Sequence, residues 1–231
     1  MSTTPSKQQL KPCSVLVVGA SGLTGLACIR ALSQKEGTKV HGFCRNPTKL
    51  DPSVRALCTS VIAGNAREEK DIESALISSN ANWIIISIGN GESVAKDDIR
   101  AVSAKVIHKV LLQPAFQHVR VVVVSSTGAG PSKIIVGMGI GQLITFYLRH
   151  ILVDHSEQEA IFGSPELCPR TTIVRATALT DNRATGKLVT YGDMQKTPSI
   201  HTDRADLAKW IVEDIHKENW VPSVVNVTGA K

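Results

Sequence analysis

A doubly wound α/β fold, with helices on both faces of a parallel sheet, is predicted by three observations. Short β-branched runs alternate with longer helical stretches along the first half of the chain. Those runs are apolar on both faces, as strands are when helices cover both sides of their sheet. A glycine-spaced turn joins the first strand to the first helix. The length of 231 residues and the 42% hydrophobic content suffice for one sizeable core. No Pro/Gly-rich linker divides the chain, so residues 13–231 form a single domain behind a polar, disordered lead over 1–12.

The elements follow in order. CSVLVV at 13–18 predicts a buried strand, and 22–33 a helix. Residues 39–44 form a second strand and 60–63 a short third. The spacing of Ile72, Ala75 and Leu76 predicts a helix over 68–78 with one apolar face. WIIISI at 83–88 is a fourth strand, 94–112 a long helix and 119–124 a fifth strand. This βαβαβ order selects the doubly wound architecture. Beyond it, 139–162 reads as one long or broken helix, 171–175 as a sixth strand, 203–217 as a helix and 223–227 as a last strand. The C-terminal half is expected to fold over the C-terminal edge of the sheet, where such folds hold ligands.

Composition excludes several classes. Lys and Arg total 26 against 20 Asp and Glu, a net charge of +6. The basic residues are scattered singly and only 4% of residues are aromatic, which argues against a nucleic-acid partner. The longest mostly apolar stretch, 134–144, is about half of a bilayer span and holds three glycines, so no membrane partner is expected. MSTTPSKQQLKP lacks the apolar segment of a secretory signal. Five cysteines without a C-x-x-C pair fit reduced thiols in a cytoplasmic protein, mostly small buried hydrophobes. The seven histidines show no ligand spacing, so no metal site is expected.

The strongest chemical signal is VLVVGASGLTG at 15–25. Gly19, Gly22 and Gly25 sit between a buried strand and a helix, the setting of a Rossmann-like dinucleotide site. Gly19 permits a tight turn, Gly22 a close approach of backbone to pyrophosphate, and Gly25 tight helix–strand packing. Ser21, Leu23 and Thr24 complete the loop at the helix N-terminus, which favours an anion. After the second strand there is no Asp or Glu for a ribose hydroxyl; Arg45 stands there, with Lys49 one turn on. A guanidinium suits a 2′-phosphate, so NADPH/NADP+ is the expected cofactor. Asn65 and Ala66 after the third strand, and Ser87, Ile88 and Gly89 after the fourth, are expected to border the adenine, ribose and pyrophosphate.

Further segments carry a resemblance. FCRNPTKL, GNA, VVVVSSTGAG, YLRHILVDHSEQEAIF, TTIVRATALTDNRATGK and IHTDRADLAKWIV follow the glycine motif in order. The chain resembles the atypical short-chain dehydrogenase/reductases, in particular the NmrA-like NAD(P)H-binding group that includes biliverdin-IXβ (flavin) reductase. The likeness spans about residues 13–227. The resemblance implies that His155 falls where other members place a lysine or histidine. It also implies that Ser125, Ser126 and Thr127 end the strand that supplies a hydroxyl near the nicotinamide.

Departures from the pattern matter as much. Many short-chain dehydrogenases use Y-x-x-x-K, but Tyr147 is followed four residues later by Ile151. Reduction by a Tyr–Lys couple is therefore unsupported. His155 and Glu159 share a helical face, and the carboxylate is expected to orient the imidazole and raise its pKa. Ser126 and His155 are the candidate catalytic residues, with Ser125 expected at the cofactor. The family's Pro-Gly after the sixth strand is replaced by Ala176-Thr177, leaving Thr177 as a nicotinamide contact. Thr127, Met138, Tyr147 and Glu159 are the candidate substrate-pocket residues. Residues 134–144 read either as a mobile apolar lid or as a helix packed on the sheet.

Three functions fit. The first is an NADPH-dependent reductase of a planar, apolar or aromatic small molecule: a quinone, flavin, tetrapyrrole or polyketide-type ring. The second is a non-redox isomerase, ring-opening or dehydratase-type enzyme of secondary metabolism using His155 as acid/base. The third is a non-catalytic NADP(H) sensor, which would bind the dinucleotide and a partner protein. A monomer or homodimer suits each.

Overall fold

Hydrophobic burial places β1 (Cys13–Val18) at the centre of the sheet, with Val15, Leu16, Val17 and Val18 all at 0% exposure. The computed structural model describes residues 13–91, 93–182 and 184–230; the lead expected over 1–12 lies outside them. The other strands are β2 (Thr38–Cys44), β3 (Ser60–Ala63), β4 (Trp83–Ile86), β5 (Arg120–Ser126) and β6 (Thr171–Ala176). They are followed by β7 (Ala178–Thr180), β8 (Leu188–Tyr191), β9 (His201–Asp203) and β10 (Val224–Gly229). Eight strands pair in the order β3-β2-β1-β4-β5-β6-β10-β8, while β7 and β9 form a separate parallel pair. All main-sheet pairings are parallel except β10 with β8. The order runs outward on both sides of β1, so β1 and β4 flank the point where the winding reverses and ligands bind.

Side chains alternate across this sheet, and each face has its own core. Val15 and Val17 point toward α1 (Leu23–Ser33), reaching Ile29 and Leu32. The short α2 (Pro52–Arg55) adds Val54 on the same face. Leu16 and Val18 point the other way, toward α3 (Glu69–Ser79) and α4 (Ile99–Leu111). The remaining helices are α5 (Ile140–Tyr147), α6 (Arg149–Phe162) and α7 (Arg204–Ile215). Phe162 of α6 joins the Leu16 layer, whereas Leu207 and Ile211 of α7 join the Val15 layer. No helix among the described residues is long and apolar enough to cross a membrane.

Two expectations, the start of one helix and the burial of most cysteines, need correction. The helix expected over 94–112 begins at Ile99, because its first amides are capped by carboxylates. Asp97 Oδ1 accepts from the Ile99 amide at 2.7 Å, and Asp154, from α6, accepts from the Ala101 amide at 2.9 Å. Of the one long or broken helix expected over 139–162, the structure shows the broken form, interrupted at Leu148 by φ −88° and ψ 5°. The doubly wound parallel sheet is as expected, with β8, which has no strong apolar pattern, added as one antiparallel edge. Cys28 and Cys44 are buried, but Cys168 is exposed and Cys13 and Cys58 are half-buried; all five are free thiols.

Candidate functional site

The ends of β1, β2, β3 and β4 enclose a cleft of about 160 Å³. Gly19 opens it at φ +92°, in the region that favours glycine, and a Cβ there would lie 2.6 Å from the Ser87 carbonyl oxygen. Gly25 is tighter: a Cβ would meet the Gly19 carbonyl oxygen at 2.3 Å. The loop and helix therefore close only around two hydrogens. The Gly22 N-cap gives α1 no side-chain cap, so the helix's first amides are left available to an anion, and its first turn holds no acidic residue. Gly19, Ser21, Gly22, Arg45, Asn65, Ala66, Ser87, Ile88 and Gly89 all line the cleft, with Phe43, Cys44 and Ile99.

Arg45 is exposed and has no carboxylate partner among the described residues. Cys44 beside it is no nucleophile, because burial pushes its thiol up despite the Asn46 amide and Ser21. Six expected cofactor residues, Leu23, Thr24, Gly25, Lys49, Ser125 and Thr177, are not among those lining this cleft. Lys49 ends an exposed turn over Pro47–Lys49, and Leu23 lines the groove between α1 and α7. Ser87 keeps its place in the wall, but its hydroxyl donates to the Val18 carbonyl at 3.2 Å.

The second half of the site lies over the end of β5. Its alternation sends Val121, Val123 and Ser125 toward α6, and Ser126 to the opposite face. Ser125, not Ser126, therefore meets His155. Ser125 Oγ lies 3.4 Å from His155 Nδ1 and donates to Glu159 Oε1 at 2.5 Å. Ser126 Oγ instead donates to the Thr127 carbonyl at 3.1 Å. Of the two candidate catalytic residues, Ser126 is therefore turned away from His155 by the two-residue period of the strand.

Glu159 takes a different part from the one its spacing suggests. Its carboxylate is gripped by Arg175, with Nε at 3.0 and 3.1 Å and Nη2 at 2.7 Å. Arg175 Nη1 also donates to Asp193 at 2.8 Å. With its carboxylate held by a guanidinium, Glu159 does not hold a proton on His155. Burial lowers the imidazole's pKa to about 3, and the Arg100 charge pushes in the same direction, against a smaller opposing effect from Gln158. The expected rise is replaced by a fall. His155 is neutral at pH 7, and because Ser125 donates to Glu159, the serine oxygen is left to accept from Nδ1–H.

This shift links to stability. The unfolded imidazole takes up its proton near 6.5 and the folded one only near 3, so the unfolded state binds more protons between these values. Stability therefore rises with pH across that window and falls on acidification, by at most about 1.4 kcal/mol per pH unit. In chemical denaturation between pH 7 and 4, His155→Asn is expected to flatten the pH dependence relative to the parent. An identical slope in both proteins would contradict a buried neutral imidazole.

The remaining pocket expectations fare unevenly. Thr127 is buried and its hydroxyl lies 2.7 Å from that of Tyr191. Thr177 Oγ1 is consumed by Thr202 at 2.7 Å and Thr228 at 3.0 Å, which leaves the expected nicotinamide contact to its main chain. Met138 is 96% and Tyr147 63% exposed, so neither lines a pocket in this conformation. Residues 134–144 do not pack on the sheet as an interior helix: α5 leaves Leu143 and Phe146 in solvent. Sequence reasoning missed Arg100 and Arg175. Arg175 carried a readable signal, a lone charge within the apolar run TTIVRA; Arg100 carried none.

These features agree with comparisons to known proteins. Residues 19–218 match the NAD(P)H-binding family. The chain is a member of that family. This agrees with the NmrA-like, atypical short-chain dehydrogenase/reductase resemblance and makes NAD(P)H the cofactor of this family member. No curated protein matches the sequence significantly. Solved structures share its fold. A provisionally named NAD-dependent epimerase/dehydratase from Bacillus halodurans is 23% identical, with a TM-score of 0.74 over 94% of each chain. A wide-type short-chain dehydrogenase/reductase from Veillonella parvula, solved with NADP, is 15% identical, with a TM-score of 0.74 over 94% of each chain. ChuY, an anaerobilin reductase from Escherichia coli O157:H7, is 18% identical, with a TM-score of 0.69 over 93% of this chain and 96% of its own. The NAD(P)H-binding chain thus adopts a fold used by several redox proteins.

Proposed function

We propose that the protein is an NADPH-dependent reductase of a planar, apolar or aromatic small molecule, of the quinone, flavin, tetrapyrrole or polyketide-ring type. The observation that carries the cofactor choice is Arg45, an unpaired guanidinium on the cleft wall where a carboxylate would select NADH. The amides of α1 receive the pyrophosphate and Arg45 the 2′-phosphate. Arg45→Ala is expected to weaken NADPH binding roughly 10- to 100-fold, the value of one charge-assisted contact, and NADH binding less than about twofold. Equal losses for both dinucleotides in a calorimetric titration would contradict this assignment.

The bound cofactor supplies a hydride. Ser125 and His155 face the reacting region from β5 and α6, and the neutral imidazole orients the acceptor by hydrogen bonding. With its pKa lowered to about 3 by burial, the imidazole is neutral at pH 7, which favours solvent over His155 as the source of the product's proton. The same depressed pKa disfavours the acid half of the non-redox reading, which asks His155 to act as acid/base. The relation in fold to an anaerobilin reductase supports reduction of a flat conjugated ring. The experiment is NADPH oxidation at 340 nm with a panel of quinones, flavins and linear tetrapyrroles. Acceptor-dependent oxidation is expected, falling at least tenfold in Ser125→Ala and His155→Ala and little in Ser126→Ala. Tight NADPH binding without oxidation by any acceptor would replace the reductase by the sensor.

A further inference from the structure

Arg100, in the first turn of α4, is a buried cation whose hydrogen-bonding capacity is mostly unspent. Its side chain is 9% exposed, and among the described residues its one side-chain partner is Asp154, 3.1 Å from Nη1. Nε is buried and has no partner among the described residues. Guanidinium offers five N–H donors in a rigid fork, so a single ion-pair contact leaves most of them idle. Asp154 meanwhile is saturated, since it also accepts from the Arg100 amide at 3.2 Å and the Ala101 amide at 2.9 Å. A buried guanidinium in this condition is costly unless something else accepts from it.

Its position says where that acceptor would lie. Nη2 stands 2.8 Å from where a Cβ on Gly89 would be, and Gly89 lines the cofactor cleft. A side chain at residue 89 would fill that approach. On its other side the charge is close enough to His155 to depress the imidazole's pKa. Arg100 thus lies between the cofactor cleft and the Ser125–His155 pair. Other under-used polar atoms lie nearby: Gln158, fully buried, meets only the His155 ring and falls short of full hydrogen-bond geometry there, and Asn90 Oδ1, one residue after Gly89, is buried with no partner among the described residues. The nearby carboxylate Glu159 cannot answer Arg100, being held by Arg175.

We propose that Arg100 is a substrate-binding residue that receives a carboxylate of the acceptor, with the Gln158 amide as a second donor. The inference rests on the reductase reading and deepens it: the substrate is an acidic conjugated ring rather than a neutral one. The carboxylate docks on the guanidinium fork while the ring lies across the cofactor cleft toward His155. No bond is made or broken at Arg100; it fixes the acceptor's position and selects for its charge.

The test crosses the residue with the charge of the substrate. NADPH oxidation is measured with a benzoquinone bearing a propionate side chain and with its methyl ester, in the parent, Arg100→Gln and Arg100→Lys. Calorimetry of the same acid with the NADP+-loaded protein supplies a readout independent of turnover. The parent is expected to favour the acid at least tenfold in kcat/KM. Arg100→Gln should remove that preference through KM, leaving the ester within twofold, and should abolish binding of the acid. Arg100→Lys keeps a cation beside Asp154 and serves if the glutamine variant does not fold; it should retain a reduced preference, at least threefold below the parent. Equal losses on acid and ester would make Arg100 a structural residue and overturn the proposal. So would a raised NADPH Kd with unchanged acid preference, which would assign the guanidinium to the cofactor. If neither acceptor oxidises NADPH in the parent but the acid still binds through Arg100, the reductase reading fails and the anion site stands. If both are turned over without charge preference, the reverse holds.

Discussion

Glu159→Ala is expected to lower the unfolding free energy by about 3–5 kcal/mol, the cost of stranding one partner of a buried ion pair. Arg175 and Glu159 have side chains 4% and 5% exposed, and their three N–H···O contacts run from 2.7 to 3.1 Å. Truncating the acid leaves Arg175 with Asp193 alone and deprives Ser125 of its acceptor. The pair ties α6 to β6 above the end of β5, so its loss also releases His155 from its orientation. A domain of this size loses roughly 2–4 °C for each kcal/mol. The melting temperature should therefore fall by roughly 10 °C, as read by calorimetry. Glu159→Gln keeps the shape but loses the charge and should fall between. A shift below about 2 °C in Glu159→Ala would show that the pair holds nothing together.

Gly25→Ala is expected to cost at least about tenfold in NADPH affinity, with a stability loss of about 1–3 kcal/mol from overpacking. The added methyl would stand 2.3 Å from the Gly19 oxygen, 2.9 Å from its carbonyl carbon and 3.0 Å from Ala20 Cα. All three are backbone atoms, so no side chain can swing aside. Either the loop or α1 must move, and both form the phosphate cradle. Gly22→Ala is the control: φ −81° and ψ 155° suit any residue, and its nearest contact is 3.3 Å. Gly22→Ala should fold with little loss. If Gly25→Ala bound NADPH like the parent, the close packing of α1 on the β1 turn would not be what shapes the site.

The cofactor half of the site was legible because it is local. Gly19, Gly22 and Gly25 lie within seven residues, and the strand–turn–helix around them follows from the apolar run before and the helical pattern after. Arg45 was legible for the same reason, as the first charge after β2. The chemical half was less so, since it is assembled across the fold. The spacing of His155 and Glu159 gave the shared helix face correctly, yet Glu159 bonds to a guanidinium on β6 that no helix pattern reveals. A bidentate guanidinium outcompetes a neutral imidazole for a buried carboxylate. The start of α4 was misjudged for a kindred reason: its cap, Asp154, comes from a helix more than fifty residues away. Ser125 and Ser126 differ only in the face of β5 they occupy, and Val121 to Val124, apolar throughout, gave no alternation to tell which face was which.

The most direct test of the account is a titration of the purified protein with NADPH and with NADH, followed by calorimetry. The account predicts one site per chain that binds NADPH at least about tenfold more tightly than NADH, the preference disappearing in Arg45→Ala. Absence of dinucleotide binding, or a preference for NADH that survives the loss of Arg45, would contradict it.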